Sequence, residues 1–134
     1  CVVLADYYKD VSKMLLDGAT SEVLKNKNNA VIKKIYHVPG AFEIPVTISK
    51  NINKYDGFVA LGCVIKGETP HFDLISKAAI NAIMDLSVEN KKPIGNGIIT
   101  CLNKKQALER ANPEGKNIGG NAVSAVLQTL ANFK

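Results

Sequence analysis

The run KGETPHFD (residues 66–73) sets an ammonium, two carboxylates, a hydroxyl and an imidazole around Gly67 and Pro70. His71 is the side chain there that titrates nearest neutrality. As a proton carrier an imidazole is worth about 10²–10⁴-fold in rate. Gly67 lets backbone N–H groups approach a ligand, and Thr69 with the first N–H groups of a following helix can hold an anion. A helix start favours negative charge by about 0.3–1 kcal/mol. A plainer reading also stands: Thr69 as N-cap, Pro70 at the first helical position and Asp73 in the first turn make an ordinary helix start. That reading leaves His71 unexplained.

Three more stretches carry chemistry. HVPGAFE (37–43) offers backbone atoms at Gly40–Ala41, the ring of Phe42 and the carboxylate of Glu43, which accepts two or more hydrogen bonds from a polyol or caps the next helix. His37 reads as a core or edge residue of its strand. DYYKD (6–10) places Tyr7 and Tyr8 to stack on a flat heterocycle or to lid the first helix; stacking adds about 0.5–1.5 kcal/mol beyond burial. Arg110 is the lone guanidinium among 17 basic residues. It grips phosphate through paired donors at about 1.5–3 kcal/mol per charge-assisted bond, or it simply neighbours Glu109. Dinucleotide, P-loop and nucleophile-elbow signatures are missing, and two His with three scattered Cys have no metal-ligand spacing.

These loops need a scaffold. Short apolar runs at 1–6, 31–38, 57–65 and 94–100 predict strands. Helical spacing predicts helices over about 10–25, 43–52, 71–91, 103–111 and 120–133, with a turn at NKNNA (26–30). Pro45 fits the first turn of the second helix. Strand and helix alternate, so parallel strands with helical crossovers give a three-layer α/β/α sandwich, a four-stranded parallel sheet flanked by helices on both faces. Such sheets bind ligands at the carboxyl ends of their strands, in the loops leading to helices, which picks out DYYKD, HVPGAFE, KGETPHFD and TCLNKK (100–105).

With 134 residues the chain reads as a single domain, residues 1–134, with a segment expected ahead of Cys1 because that residue already lies in an apolar strand. The net charge of +5 comes from Lys scattered singly or in pairs, so no nucleic-acid surface is expected. No run reaches membrane-span length. Cys1, Cys63 and Cys101 read as buried reduced thiols, which points to the cytoplasm.

Together HVPGAFEIP, LGCVIKGETPHFD, GNGIIT and QALERANPEGKNIGGNAVSAVL, in this order and spacing, resemble the 6,7-dimethyl-8-ribityllumazine synthase family over essentially the whole chain. The resemblance implies a flavodoxin-like fold. It also implies condensation of 5-amino-6-(D-ribitylamino)uracil with 3,4-dihydroxy-2-butanone 4-phosphate, releasing phosphate and water, without metal or organic cofactor. By the same resemblance Tyr7, with Tyr8 the alternative, stacks on the substrate ring. Ala41, Phe42 and Glu43 hold the ribityl chain and ring, and Cys63, Val64 and Ile65 grip the pyrimidine edge. Glu68 and Thr69 bind phosphate, His71 transfers protons, Asn96 makes a backbone contact, and Arg110 binds phosphate from a neighbouring subunit.

The implied assembly is a homo-oligomer, a pentamer that in some members closes into a shell of sixty. The short turn between Arg110 and Gly119 resembles that of shell-forming members. Riboflavin synthase is a candidate partner. Four positions depart from the family's usual pattern: Lys66 for Arg, Asn96 for an aromatic residue, Leu102 for an acid, and Ile118 for Lys. The competing classes are an archaeal-type riboflavin synthase, a flavin carrier without turnover, and a shell with a vestigial site. The intact GAFE and GETPHFD segments argue against the first, His71 and Arg110 against the second. Turnover separates the enzyme from the shell.

Overall fold

All four apolar runs become strands of one sheet. The computed structural model describes residues 1–26 and 29–134. In it β1 (Val2–Ala5), β2 (Ile35–Val38), β3 (Phe58–Ile65) and β4 (Ile94–Cys101) lie parallel in the order β2-β1-β3-β4. Between and after them run α1 (Lys9–Lys25), α2 (Ile44–Lys50), α3 (His71–Asn90), α4 (Lys104–Ala111) and α5 (Ile118–Ala131). A 3-10 turn, Ala41–Glu43, leads into α2. The turn expected at 26–30 lies partly outside the described residues.

Alternation along the strands fixes the layers. Val2, Leu4, Val59, Leu61, Cys63, Ile99 and Cys101 point to one face, where they bury Val11, Leu15 and Ala19 of α1 with Ala107 of α4 and Val123 of α5. Val3, Ala5, Phe58, Ala60, Val64 and Ile98 point to the other, against Ile44 and Ile48 of α2 and Ala79 and Ile83 of α3. With both faces covered a strand has no polar side, which is why FVALGCVI reads as an unbroken apolar run. Each large buried side chain contributes about 1.5–3 kcal/mol by leaving water. Small residues let the layers close. A Cβ at Gly119 would strike the Leu15 carbonyl of α1, and one at Gly95 the Ala122 carbonyl of α5.

Several boundaries differ from expectation: α2 spans Ile44–Lys50 rather than 43–52, and α5 ends at Ala131 rather than 133. The second strand is Ile35–Val38 rather than 31–38, paired residue for residue with Val2–Ala5 of β1. The last helix begins at Ile118, earlier than expected. Asn117 adopts left-handed backbone (φ 50°) there, and its side chain accepts the Gly120 N–H at 3.3 Å. Pro45 does sit in the first turn of α2. Strand order reverses between β1 and β3, so the loops after these strands flank the crevice where such sheets bind ligands.

Candidate functional site

At the carboxyl end of β3, Lys66 N–H still pairs with the Cys101 carbonyl at 2.9 Å, and then the chain leaves the sheet. Residues 66–71 are all exposed, with no heavy atom within 4 Å of a Cβ built on Gly67. α3 starts at His71 with Pro70 as its N-cap residue, and no side chain caps it. Thr69 Oγ1 accepts only the His71 N–H, at 3.4 Å. The plain capping reading of Thr69 and Pro70 therefore shifts by one residue. The first-turn donors of a long helix face solvent beside Glu68, Thr69 and His71, a geometry open to an anion.

Across the crevice, β1 ends at Ala5 and only Asp6–Tyr8 precede α1. Buried Ser12 anchors that helix by donating to the Ala5 carbonyl at 2.7 Å. The two tyrosines differ. Tyr7 is 74% exposed and meets Tyr8 edge-on, centroids 4.9 Å apart. Tyr8 packs against the core of the α1 face, and the Lys104 ammonium lies 5.4 Å from its ring centroid. Lys104 also pairs with Asp10 at 3.1 Å, holding that carboxyl below its usual range. Tyr7 is thus the ring left free to stack.

After β2 the turn Ala41–Glu43 buries Ala41 and leaves Phe42 exposed. Glu43 folds back so that Oε1 accepts the Gly40 N–H at 3.1 Å. Glu43 therefore caps the 3-10 turn that it ends and not the helix that follows, α2, which has no side-chain cap. At the strand end Cys63 and Val64 are buried and Ile65 half-buried. Burial, reinforced by Cys101, pushes the Cys63 thiol up to about 12, so it stays a neutral S–H.

Arg110 and Asn96 stand apart. The Cys101 carbonyl points toward β3, so the carbonyl before it, Thr100, points to the opposite flank of β4. There Arg110 Nη1 donates to it at 2.8 Å, with Cys101 Sγ 3.7 Å away. No ion pair joins Arg110 to Glu109 among the described residues. Asn96 is exposed on the same edge strand, about 13 Å back along β4 from Thr100 at roughly 3.3 Å per residue, and it accepts the Ile98 N–H at 3.1 Å. One chain therefore gathers Tyr7, Ala41–Glu43, Cys63–Ile65, Glu68, Thr69 and His71 at one rim. It leaves Arg110 and Asn96 on an outer edge.

Two pairings at the rim were not expected from the sequence. His37, read as a core or edge residue, is exposed on the edge strand β2 and its Nδ1 meets Asp6 Oδ2 at 2.8 Å, and Lys104 bridges Tyr8 and Asp10. Nothing local signals either; both depend on which strand ends lie side by side. Among the described residues no group of three His, Cys, Asp or Glu can hold a metal ion, and no helix is long and apolar enough to cross a membrane.

The family model described as 6,7-dimethyl-8-ribityllumazine synthase matches residues 1–134. The chain is 44% identical over 133 residues to a 6,7-dimethyl-8-ribityllumazine synthase of Bartonella tribocorum, covering 97% of this chain and 86% of that one. It is 45% identical over 134 residues to that of Bartonella henselae, covering 97% and 84%. To a protein named 6,7-dimethyl-8-ribityllumazine synthase 1 in Rhodopseudomonas palustris it is 42% identical over 136 residues, covering 96% and 82%.

Proposed function

This chain belongs to the 6,7-dimethyl-8-ribityllumazine synthase family, and from that premise we propose that the rim over β1–β3 is one half of its active site, a second copy supplying the other half. The enzyme condenses 5-amino-6-(D-ribitylamino)uracil with 3,4-dihydroxy-2-butanone 4-phosphate, a step of riboflavin biosynthesis. One observation carries the divided site: the guanidinium suited to phosphate sits on the flank of β4 away from β3, while the open helix start sits at the rim.

Tyr7 stacks on the pyrimidine, and backbone groups of Cys63–Ile65 hold its edge. Ala41, Phe42 and the free oxygen of Glu43 receive the ribityl chain. Phosphate lies at Glu68, Thr69 and the first N–H groups of α3. Arg110 reaches it from the neighbouring copy, and Asn96 of that copy borders the ring. The substrate amine attacks the ketone and water leaves to give the imine. Phosphate is then eliminated, the enol tautomerises, and the second amine closes the ring with loss of another water. Each step moves a proton, and His71 is the group placed to carry it. Holding both reactants together lowers the barrier by several kcal/mol, which suits a site with one imidazole.

The assembly is a ring of five copies, the short 110–119 turn favouring closure into a shell, and the enzyme works in the cytoplasm beside a riboflavin synthase. The test mixes two crippled variants, His71→Ala and Arg110→Ala, dissociated and reassembled together. If each site joins two copies, roughly a quarter of the randomly paired interfaces regain both groups, and lumazine fluorescence recovers accordingly. No recovery above the mean of the separate variants overturns the shared site.

A further inference from the structure

The Tyr7 ring is held by almost nothing of its own. It is 74% exposed, with the edge of Tyr8 as its ring contact. A ring in that state stacks well only if its backbone is fixed, since ordering it on binding costs affinity. The loop that bears it, Asp6–Tyr8, is fixed at both ends. Tyr8 is held down by the core and by Lys104. Asp6 is bound twice to the end of β2: its N–H donates to the Val38 carbonyl at 2.9 Å, and its Oδ2 meets His37 Nδ1 at 2.8 Å. Those two β2 residues immediately precede Pro39–Gly40, the turn that delivers Ala41–Glu43.

We infer that Asp6 and His37 are positioning residues, a tie that sets the stacking ring of Tyr7 at a fixed distance from the 41–43 turn so that both meet one pyrimidine ligand. The inference rests on the stacking role proposed for Tyr7. An ionised carboxylate only accepts hydrogen bonds, so Nδ1 carries the proton toward Asp6 and Nε2 is left over. The tie is exposed (side-chain exposure 57% for His37, 34% for Asp6), and exposed pairs add only about 0–1 kcal/mol to stability. Its worth therefore lies in placement rather than in holding the fold.

Binding of the ribitylaminouracil alone, together with kcat, tests this on the assembled enzyme. An asparagine amide nitrogen falls where Nδ1 stands, and a glutamine amide nitrogen where Nε2 stands. His37→Ala is expected to weaken pyrimidine binding about 2- to 5-fold, the scale of an exposed pair, with kcat nearly unchanged. His37→Asn should restore binding and His37→Gln should not. In a Tyr7→Ala background His37→Ala should add nothing further. Rescue by Gln instead of Asn, a fall in kcat at unchanged affinity, or full additivity with Tyr7→Ala would each overturn the tie. If Tyr7→Ala alone leaves binding unchanged, the stacking role itself is lost, and with it the reason for a tie. If Tyr7→Ala weakens binding while His37→Ala does not, the stacking role stands and only the tie fails.

Discussion

The two ends of the sheet use the same four strands and come out opposite in character. At the amino end the backbone closes on itself: Val59 N–H donates to the Cys1 carbonyl at 2.8 Å and Phe58 N–H to Pro93 at 3.0 Å. Phe58 is fully buried against Tyr55, rings edge-on at 5.9 Å. A cavity of about 310 Å³ opens there, lined by Val2, Tyr55, Val123, Val126 and Leu130 among others. At the carboxyl end Tyr7, Phe42, Glu68, Thr69 and His71 all stand in solvent. A second cavity, of about 380 Å³, lies against the rim, lined by Phe42 and Glu43 with Pro45, Val46, Ala78, Ala79 and Ala82. The amino end is closed by apolar side chains, whereas the carboxyl end sets polar and titratable groups in solvent.

Substitutions at the two ends should fail in different ways. The largest effect belongs to His71→Ala, expected to lower turnover by about 10²- to 10⁴-fold while pyrimidine binding and thermal midpoint hardly move. A matching loss of stability would make His71 a structural residue. Next comes Phe58→Ala at the other end, which should cost about 3–5 kcal/mol in denaturant unfolding. The surviving folded enzyme should keep its pyrimidine affinity, and a change there would join the two ends.

The smallest effect is alkaline. The Cys63 thiol, with an ordinary value of 9.0, ionises only near about 12 in the folded protein. The folded state thus holds this proton more tightly. The stability this represents is whole below pH 9 and drains away as pH climbs toward 12. Burial raises the Tyr8 phenol as well, in the same direction. Thermal midpoints followed from pH 8 to 11 should fall less steeply in Cys63→Ala than in the wild-type chain. Equal slopes would mean that the thiol reaches water.

Much of this was legible in the sequence because it is local. FVALGCVI announced a strand covered on both faces, and the stripes of α1, α3 and α5 announced helices, with Val11, Leu15, Ala19, Ala79, Ile83, Val123 and Val126 buried as their spacing required. Since strand ends and helix starts are written in single short runs, KGETPHFD and HVPGAFE marked their loops without any knowledge of neighbours. Residues 31–34 show the limit. Val31 and Ile32 look like strand, yet the ladder with β1 begins only at Ile35. What tertiary structure alone decided was adjacency. The order β2-β1-β3-β4 puts Asp6 beside His37, lays Lys104 over Tyr8, and turns Arg110 to the outer flank of β4. Asp6 and His37, like Lys104 and Tyr8, lie far apart in the chain, and the outer flank that Arg110 meets exists only because β4 is an edge strand; strand order, a property of the whole sheet, is not encoded in any one stretch.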